Sequence, residues 1–379
     1  MREIDLMQAT DTVPAAEGGT EAGRGGRKQP PKAVMYAFVG LIPFLLVMML
    51  VSVYTTSMHQ PVPRDLPVAV IGTGQQAVGL ADALNAAEGS PVEVRTVGAV
   101  SEAEDLLKRR EIGAAFRLPA SPGGPATLYT AQAAGMGQAS MMQAIFTGIA
   151  AQQGLQVEHR EIAPLPPEDG MGVSAMMIVT GWILSGYMII TMITQGAPEV
   201  FTLRRTPAFL AVWAALMSLV VWLIADPVIG AVGGHAWEML ALGWATIFAV
   251  GLAQSFIARL IGGLGSIAGV FVLMYLGVPA SNLGMPVKAM PGFFEWLHGV
   301  LPTPAAGEAL RAILYFGGQG VSGHLLVLAL WGAVSVAGSV ALDSLRNRRK
   351  PKHLLTASEE TAVDEAADAA AASAVPVTA

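Results

Sequence analysis

Six long runs without a single Asp, Glu, Lys or Arg constrain this chain more than any other feature. They cover residues 33–54, 172–193, 207–225, 239–257, 260–278 and 321–342. An α-helix rises about 1.5 Å per residue, so ~20 apolar residues cross the ~30 Å hydrocarbon core of a bilayer. In water, faces this apolar would aggregate. Only 13% of the 379 residues are charged, against about 25% in a soluble domain. The fold class this implies is an α-helical polytopic membrane protein with six transmembrane helices.

The first run follows a polar tail, residues 1–32, whose Gly, Ala and charge content predicts a disordered cytoplasmic segment. At 22 residues the run 33–54 exceeds the apolar stretch of a cleavable signal peptide, and Tyr54-Thr55-Thr56-Ser57-Met58 lacks a small-residue cleavage site. A retained anchor helix is expected. The fourth and fifth runs are separated only by Ala258-Arg259. One helix over 239–278 would be about 60 Å long, twice the hydrocarbon core, so a hairpin turning at Arg259 is expected. Six crossings put both ends on one side. Thirteen lysines and arginines gather there, in the first tail, at Arg204 and Arg205, at Arg259 and between Arg346 and Lys352. Basic residues in short loops stay cytoplasmic. The chain is thus expected in the inner (plasma) membrane, with both termini cytoplasmic and residues 55–170 outside. The tail 343–379, rich in Ala, Glu and Asp, is expected to be disordered.

Residues 55–170 carry the patterns of an extracytoplasmic α/β domain. Strands are expected over 66–71, 91–97, 113–118 and 126–129, and helices over 77–87, 100–110 and 136–152. Ser101 with Glu104 has the spacing of a capping box. Acids Glu102, Glu104 and Asp105 precede bases Lys108, Arg109 and Arg110, the order the helix dipole favours, which suits a solvated helix face.

The remaining stretch, 283–316, is too polar and too Pro-rich to cross a membrane, with Pro286, Pro291, Pro302 and Pro304. It is nonetheless rich in Phe, Trp, Leu and Tyr. An interfacial or re-entrant element of the outer side is expected, with aromatic rings at the headgroups. Glu308 and Arg311 stand i, i+3 and could pair on one helix face. A surface anchor and a gate or lipid-contact element both fit this pattern.

Here the chain resembles a known family. Met290-Pro291-Gly292-Phe293-Phe294-Glu295-Trp296, Leu301-Pro302 and Ala309-Leu310-Arg311-Ala312-Ile313 are similar to the stretch before the last helix of ABC-2-type transporter permeases, near the YhgE/Pip (phage infection protein) family. One anchor helix, an outer α/β domain and a membrane block, 171–342, complete the likeness. It implies the permease subunit of an export system, a homodimer or a pair with a similar permease, driven by a separate ABC ATPase. The coupling loop would then be the short segment with Glu199, Arg204 and Arg205. The outer gate would hold Pro291, Phe293, Trp296, Pro302, Glu308 and Arg311. The other class left open is a non-transporting receptor or scaffold whose outer domain binds a cell-envelope or phage component.

Several chemistries lack their residues. With no cysteine, disulfides and thiolate sites are excluded. No G-x-x-x-x-G-K-[ST] occurs, so ATP hydrolysis would need another polypeptide. The six histidines include no i, i+4 pair. Gly72-Thr73-Gly74-Gln75-Gln76-Ala77 fits a dinucleotide fingerprint in outline, but Glu93 stands at the start of the next strand, whereas the fingerprint needs its acid near the end. A plain strand-to-helix turn is the better account. No catalytic residue, cofactor, metal or nucleic-acid partner is expected, and the bilayer is the one sure surrounding. Gly265 and Gly269 form a G-x-x-x-G pair suited to close helix packing inside the monomer or, alternatively, at a dimer seam.

Overall fold

The structure, a computed structural model, describes residues 32–348 apart from 88, 90 and 122. The disorder expected of residues 1–31 and 349–379 lies outside the described residues. Packing divides the chain after Phe44, and the contacts below belong to the part from Leu45 on.

Helix α1 (Lys32–Met58) leads into an α/β domain of β1 (Leu66–Ile71), α2 (Gln75–Asn85), β2 (Val92–Val97), α3 (Val100–Lys108), β3 (Ala114–Arg117), β4 (Ala126–Thr130), α4 (Met136–Gln152) and β5 (Val157–Glu161). The sheet order is β2-β1-β3-β4-β5. All pairs are parallel except β3 with β4, which are joined antiparallel. Alternation along β1 explains the layers. Leu66, Val68 and Val70 face the core shared with α2 and α4, while Ala69 and Ile71 face the core under α3. Two buried faces make β1 the centre of a three-layer sandwich.

Four strands stand where the sequence puts them. The fifth, β5, was not expected. Its residues Val157-Glu158-His159-Arg160-Glu161 are mostly exposed, as an edge strand allows. The capping box at Ser101 and Glu104 does not form. The helix starts at Val100, its cap Ala99 makes no side-chain bond, and Glu102 instead accepts from the Gly98 amide at 3.0 Å.

The helical block follows: α5 (Ser174–Gly196), α6 (Arg205–Leu223), α7 (Ala236–Ile261), α8 (Gly265–Val270), α9 (Gly277–Ala280), α10 (Gly292–Val300), α11 (Pro302–Tyr315) and α12 (Val321–Arg348). Asp169 caps α5, both carboxylate oxygens accepting from the Ser174 amide. Among the described residues, five helical stretches are long and apolar enough to cross a bilayer: Leu41–Met58, Ser174–Gly196, Arg205–Val228, Ala236–Ala280 and Val321–Arg346. The chain is mostly helical, with the make-up of a polytopic membrane protein. The expected tail from 343 starts later than thought, since α12 continues to Arg348.

The 45-residue stretch Ala236–Ala280 contains both the fourth and the fifth expected runs. It is folded back on itself. The turn is Gly262–Leu264, three residues beyond the expected Arg259, because Gly262 supplies the left-handed φ of 64° that ends α7. The return arm passes so close that a Cβ on Gly265 would lie 2.5 Å from the Ala258 Cα. Gly265 and Gly269 thus pack within the monomer, against α7. That helix is the hub of the block: α5, α6, α8, α11 and α12 all pack on it.

Candidate functional site

The residues that stand out chemically meet where the α/β domain rests on α11. This helix is short, yet every residue from Pro302 to Ile313 is buried. Ala305, Ala306, Gly307, Ala309 and Ala312 give it a slim body that fits among α5, α7, α9 and α12. A surface anchor is therefore not its role. Helix α10 does hold an exposed apolar face, with Phe293 and Trp296 54% and 62% exposed. Pro291 caps α10 and Pro302 opens α11 at its first turn, where a missing N–H has no cost.

Glu308 is the centre of the seam. Its side chain is 8% exposed. Arg311 Nη1 donates to Glu308 Oε1 at 2.9 Å, the i, i+3 pair expected from sequence. Asn282 Nδ2 donates to the same oxygen at 3.1 Å. Arg110, from the α/β domain, donates to the other oxygen, Oε2, and to the Glu308 carbonyl. Burial alone would raise the Glu308 carboxyl, but Arg311 and Arg110 hold it below the usual carboxylate range.

The reach of Arg110 follows from how α3 ends. The Arg110 amide donates to the Leu107 carbonyl and the Glu111 amide to the Leu106 carbonyl. Arg110 has φ 60°. This is the Schellman arrangement with an arginine in the place usually given to glycine. The left-handed residue leaves the helix axis, crosses to α11 and lies over the Phe316 ring with its guanidinium carbon 5.5 Å from the centroid. Read as the solvated end of α3, Arg110 is the functional residue the sequence reasoning missed. Its one local sign was a base just past a helix end with no glycine to close it.

Two further contacts join the domain to the same segment. The Val62 and Arg64 amides donate to the Ala289 and Lys288 carbonyls at 3.0 and 3.2 Å. The first turn of α4 is in close contact at Gly137, where a Cβ would lie 2.9 Å from the Gly284 carbonyl oxygen. Beside the Glu308 cluster is a polar recess of about 340 Å³ lined by Arg109, Arg110, Gln138, His298, Glu308 and His324. His298 Nδ1 is 2.8 Å from the Ala280 carbonyl, which can only accept, so Nδ1 carries the proton.

The other charged residues singled out from sequence lie elsewhere. Glu199, Arg204 and Arg205 are exposed around the α5–α6 loop and form no ion pair among the described residues. Arg259 holds that loop in place. Its guanidinium lies 4.3 Å from the Phe201 ring centroid, donates to the Phe201 carbonyl and meets Asp343 Oδ2 at 3.3 Å. Arg346 donates to the Arg259 carbonyl at 2.6 Å. Among the described residues, no group of three or more His, Asp or Glu side chains is placed to hold a metal.

Comparison with known protein families, with curated proteins and with solved structures finds no match to this chain.

Proposed function

We propose that this chain is the permease subunit of an ABC-2-like export system, moving an amphiphilic substrate such as a lipid or drug with energy from a separate ATPase. The single observation that carries the reading is the Arg110–Glu308–Arg311 seam. It ties the α/β domain to a helix buried at the heart of the block. Burying three charges is expensive unless each is paired, and a receptor needs only one helix for its anchor. A seam of this kind suits a domain that must move with the helices.

In this reading six segments cross the inner membrane, the arm after Gly262 being the fifth. Both termini are cytoplasmic and residues 55–170, from the last turn of α1 on, are outside. The exposed Glu199, Arg204 and Arg205 face the cytosol as the contact for an ATPase, and α10 with α11 forms a re-entrant pair on the outer side. Assembly is as a homodimer or with a similar permease. Because the chain has no cysteine, single substitutions map it directly. Ser121→Cys should react with an impermeant maleimide from outside, and Glu199→Cys only after the membrane is opened. Co-purification should bring down an ATPase, and deletion of the gene should change efflux or envelope lipid. Reversed labelling, or no associated ATPase together with unchanged efflux, would overturn the reading.

A receptor role has one observation in its favour. An open recess of about 700 Å³ lies on the α/β domain between α2 and the β3–β4 turn, lined by Gln76, Leu80, Leu118, Pro119 and Ser121 among others. A purified envelope component that binds there while transport is absent would support it.

A further inference from the structure

The polar recess beside Glu308 has an apolar neighbour. His298 lines it, and the next two residues of α10, Gly299 and Val300, line an apolar groove of about 300 Å³. The same continuity runs along α12. His324 lines the recess, and Val327, Leu330, Trp331 and Val334 line the groove. Positions 324, 327, 331 and 334 are spaced by three and four, so they form one stripe along the helix. Trp331 is fixed in the groove by its Nε1, which donates to the Val300 carbonyl at 2.7 Å. A charged recess and an apolar groove therefore lie next to each other along α10 and α12, the latter a helix of membrane-spanning length.

The charge at the mouth has a definite sign. Glu111 is shared by Arg95 at 3.4 Å and Arg109 at 3.0 Å. Glu308 is shared by Arg110 and Arg311. Of the charged residues that line the recess, two are arginines, Arg109 and Arg110, and one is a carboxylate, Glu308, an excess of one positive charge. Among the described residues Arg109 meets Glu111 through its Nε and no partner is seen at its Nη groups, and its side chain is 54% exposed. A guanidinium with free donors beside a recess matches the oxygens of a phosphate.

We propose that recess and groove together hold one anionic phospholipid, its phosphate against Arg109 and Arg110 and an acyl chain along Gly299 and Trp331. The lipid would come from the leaflet on the side of the α/β domain. The proposal requires the helical block to lie in a bilayer and does not require transport. It can fail while the export reading stands, and the reverse also holds.

The test uses the full chain in nanodiscs of equal phosphatidylglycerol and phosphatidylcholine, read by native mass spectrometry after release. Retention of one phosphatidylglycerol over phosphatidylcholine by about tenfold is expected, the size of one charged hydrogen bond. Arg109→Gln should abolish most of that preference. Gly299→Trp should abolish retention of either lipid, because a Cβ at Gly299 meets nothing within 4 Å and the indole would occupy the groove that Gly299 lines. Thermal unfolding of both variants should match the parent, which separates lost binding from lost folding. Equal retention of the two lipids would overturn the proposal. So would retention that survives Gly299→Trp, or full competition by inorganic phosphate or glycerol phosphate, which would show a site for a free anion.

Discussion

The two ends of the helical block are both closed by arginine, and they are closed differently. At the α/β-domain end, Glu308 accepts from Arg110, Arg311 and Asn282, and its side chain is 8% exposed. At the other end, Arg259 meets a single carboxylate, Asp343, at a longer 3.3 Å, and that carboxylate is 28% exposed. Arg259 also leaves its Nε without a partner. The first end is a satisfied buried network, in which removal of one member strands the others. The second is a sparser clasp around a loop, in which Arg259 is 7% exposed and its one carboxylate partner is partly open to solvent. On the export reading, a rigid end at the α/β domain and a yielding end at the α5–α6 loop would suit a block worked from the loop side.

Glu308→Ala should have the largest effect, leaving two buried guanidiniums unpaired. A loss of about 3–5 kcal/mol is expected, visible as a large fall in the melting temperature of the purified chain. Glu308→Gln, which can still accept from Asn282 or Arg110, should lose less. A change below about 1 kcal/mol for the alanine variant would mean that the seam is wet and open. The same carboxyl sets the acid response. Its folded value lies below the usual range, so its contribution is fully present above the unfolded value and is lost as pH falls through the folded one. The seam should therefore still hold at the pH where an unpaired Glu, with its ordinary value of about 4.3, protonates, and loosen only at lower pH. Hydrogen exchange at β3 and α11 across that range would show it.

Gly265→Ala comes next. Its Cβ would stand 2.5 Å from the Ala258 Cα, a backbone atom that cannot swing away. Prising the hairpin arms apart should cost about 1–3 kcal/mol, read by thermal unfolding. Asp343→Asn should cost about 1 kcal/mol, since Asp343 is partly exposed, meets Arg259 at a long 3.3 Å, and an amide oxygen there can still accept from it. If it proved as severe as Glu308→Ala, the contrast between the ends would collapse. Arg204→Gln with Arg205→Gln should change stability by no more than about 0.5 kcal/mol. On the export reading, the same pair should still weaken co-purification of the ATPase.

The apolar runs were legible because bilayer thickness sets a length that no other burial imposes. The strands of the α/β domain were legible where both faces are buried, as in β1, and illegible in β5, whose exposed Glu158, His159 and Arg160 carry no alternation. The depth of α11 was hidden for a different reason. Its alanines and its Glu–Arg pair suit a surface helix as well as a buried one, and only the surrounding helices decide between them. The Glu308–Arg311 pair could be read from its spacing. Arg110 could not, because 198 residues separate it from Glu308 and its direction depends on one left-handed residue. The hairpin was foreseen from length, but its corner was placed at the charge, whereas the backbone turns at the glycine.

The bonds from Val62 and Arg64 to Ala289 and Lys288 have a mechanical consequence. They stitch the segment that leads into β1 to the 3-10 turn Val287–Ala289 before α10, so the α/β domain is fastened at the start of its chain as well as at Arg110 and Gly137. A body pinned at three places has no free hinge. Any tilt of the α10–α11 pair must carry the whole sheet with it, like a handle riveted to a door.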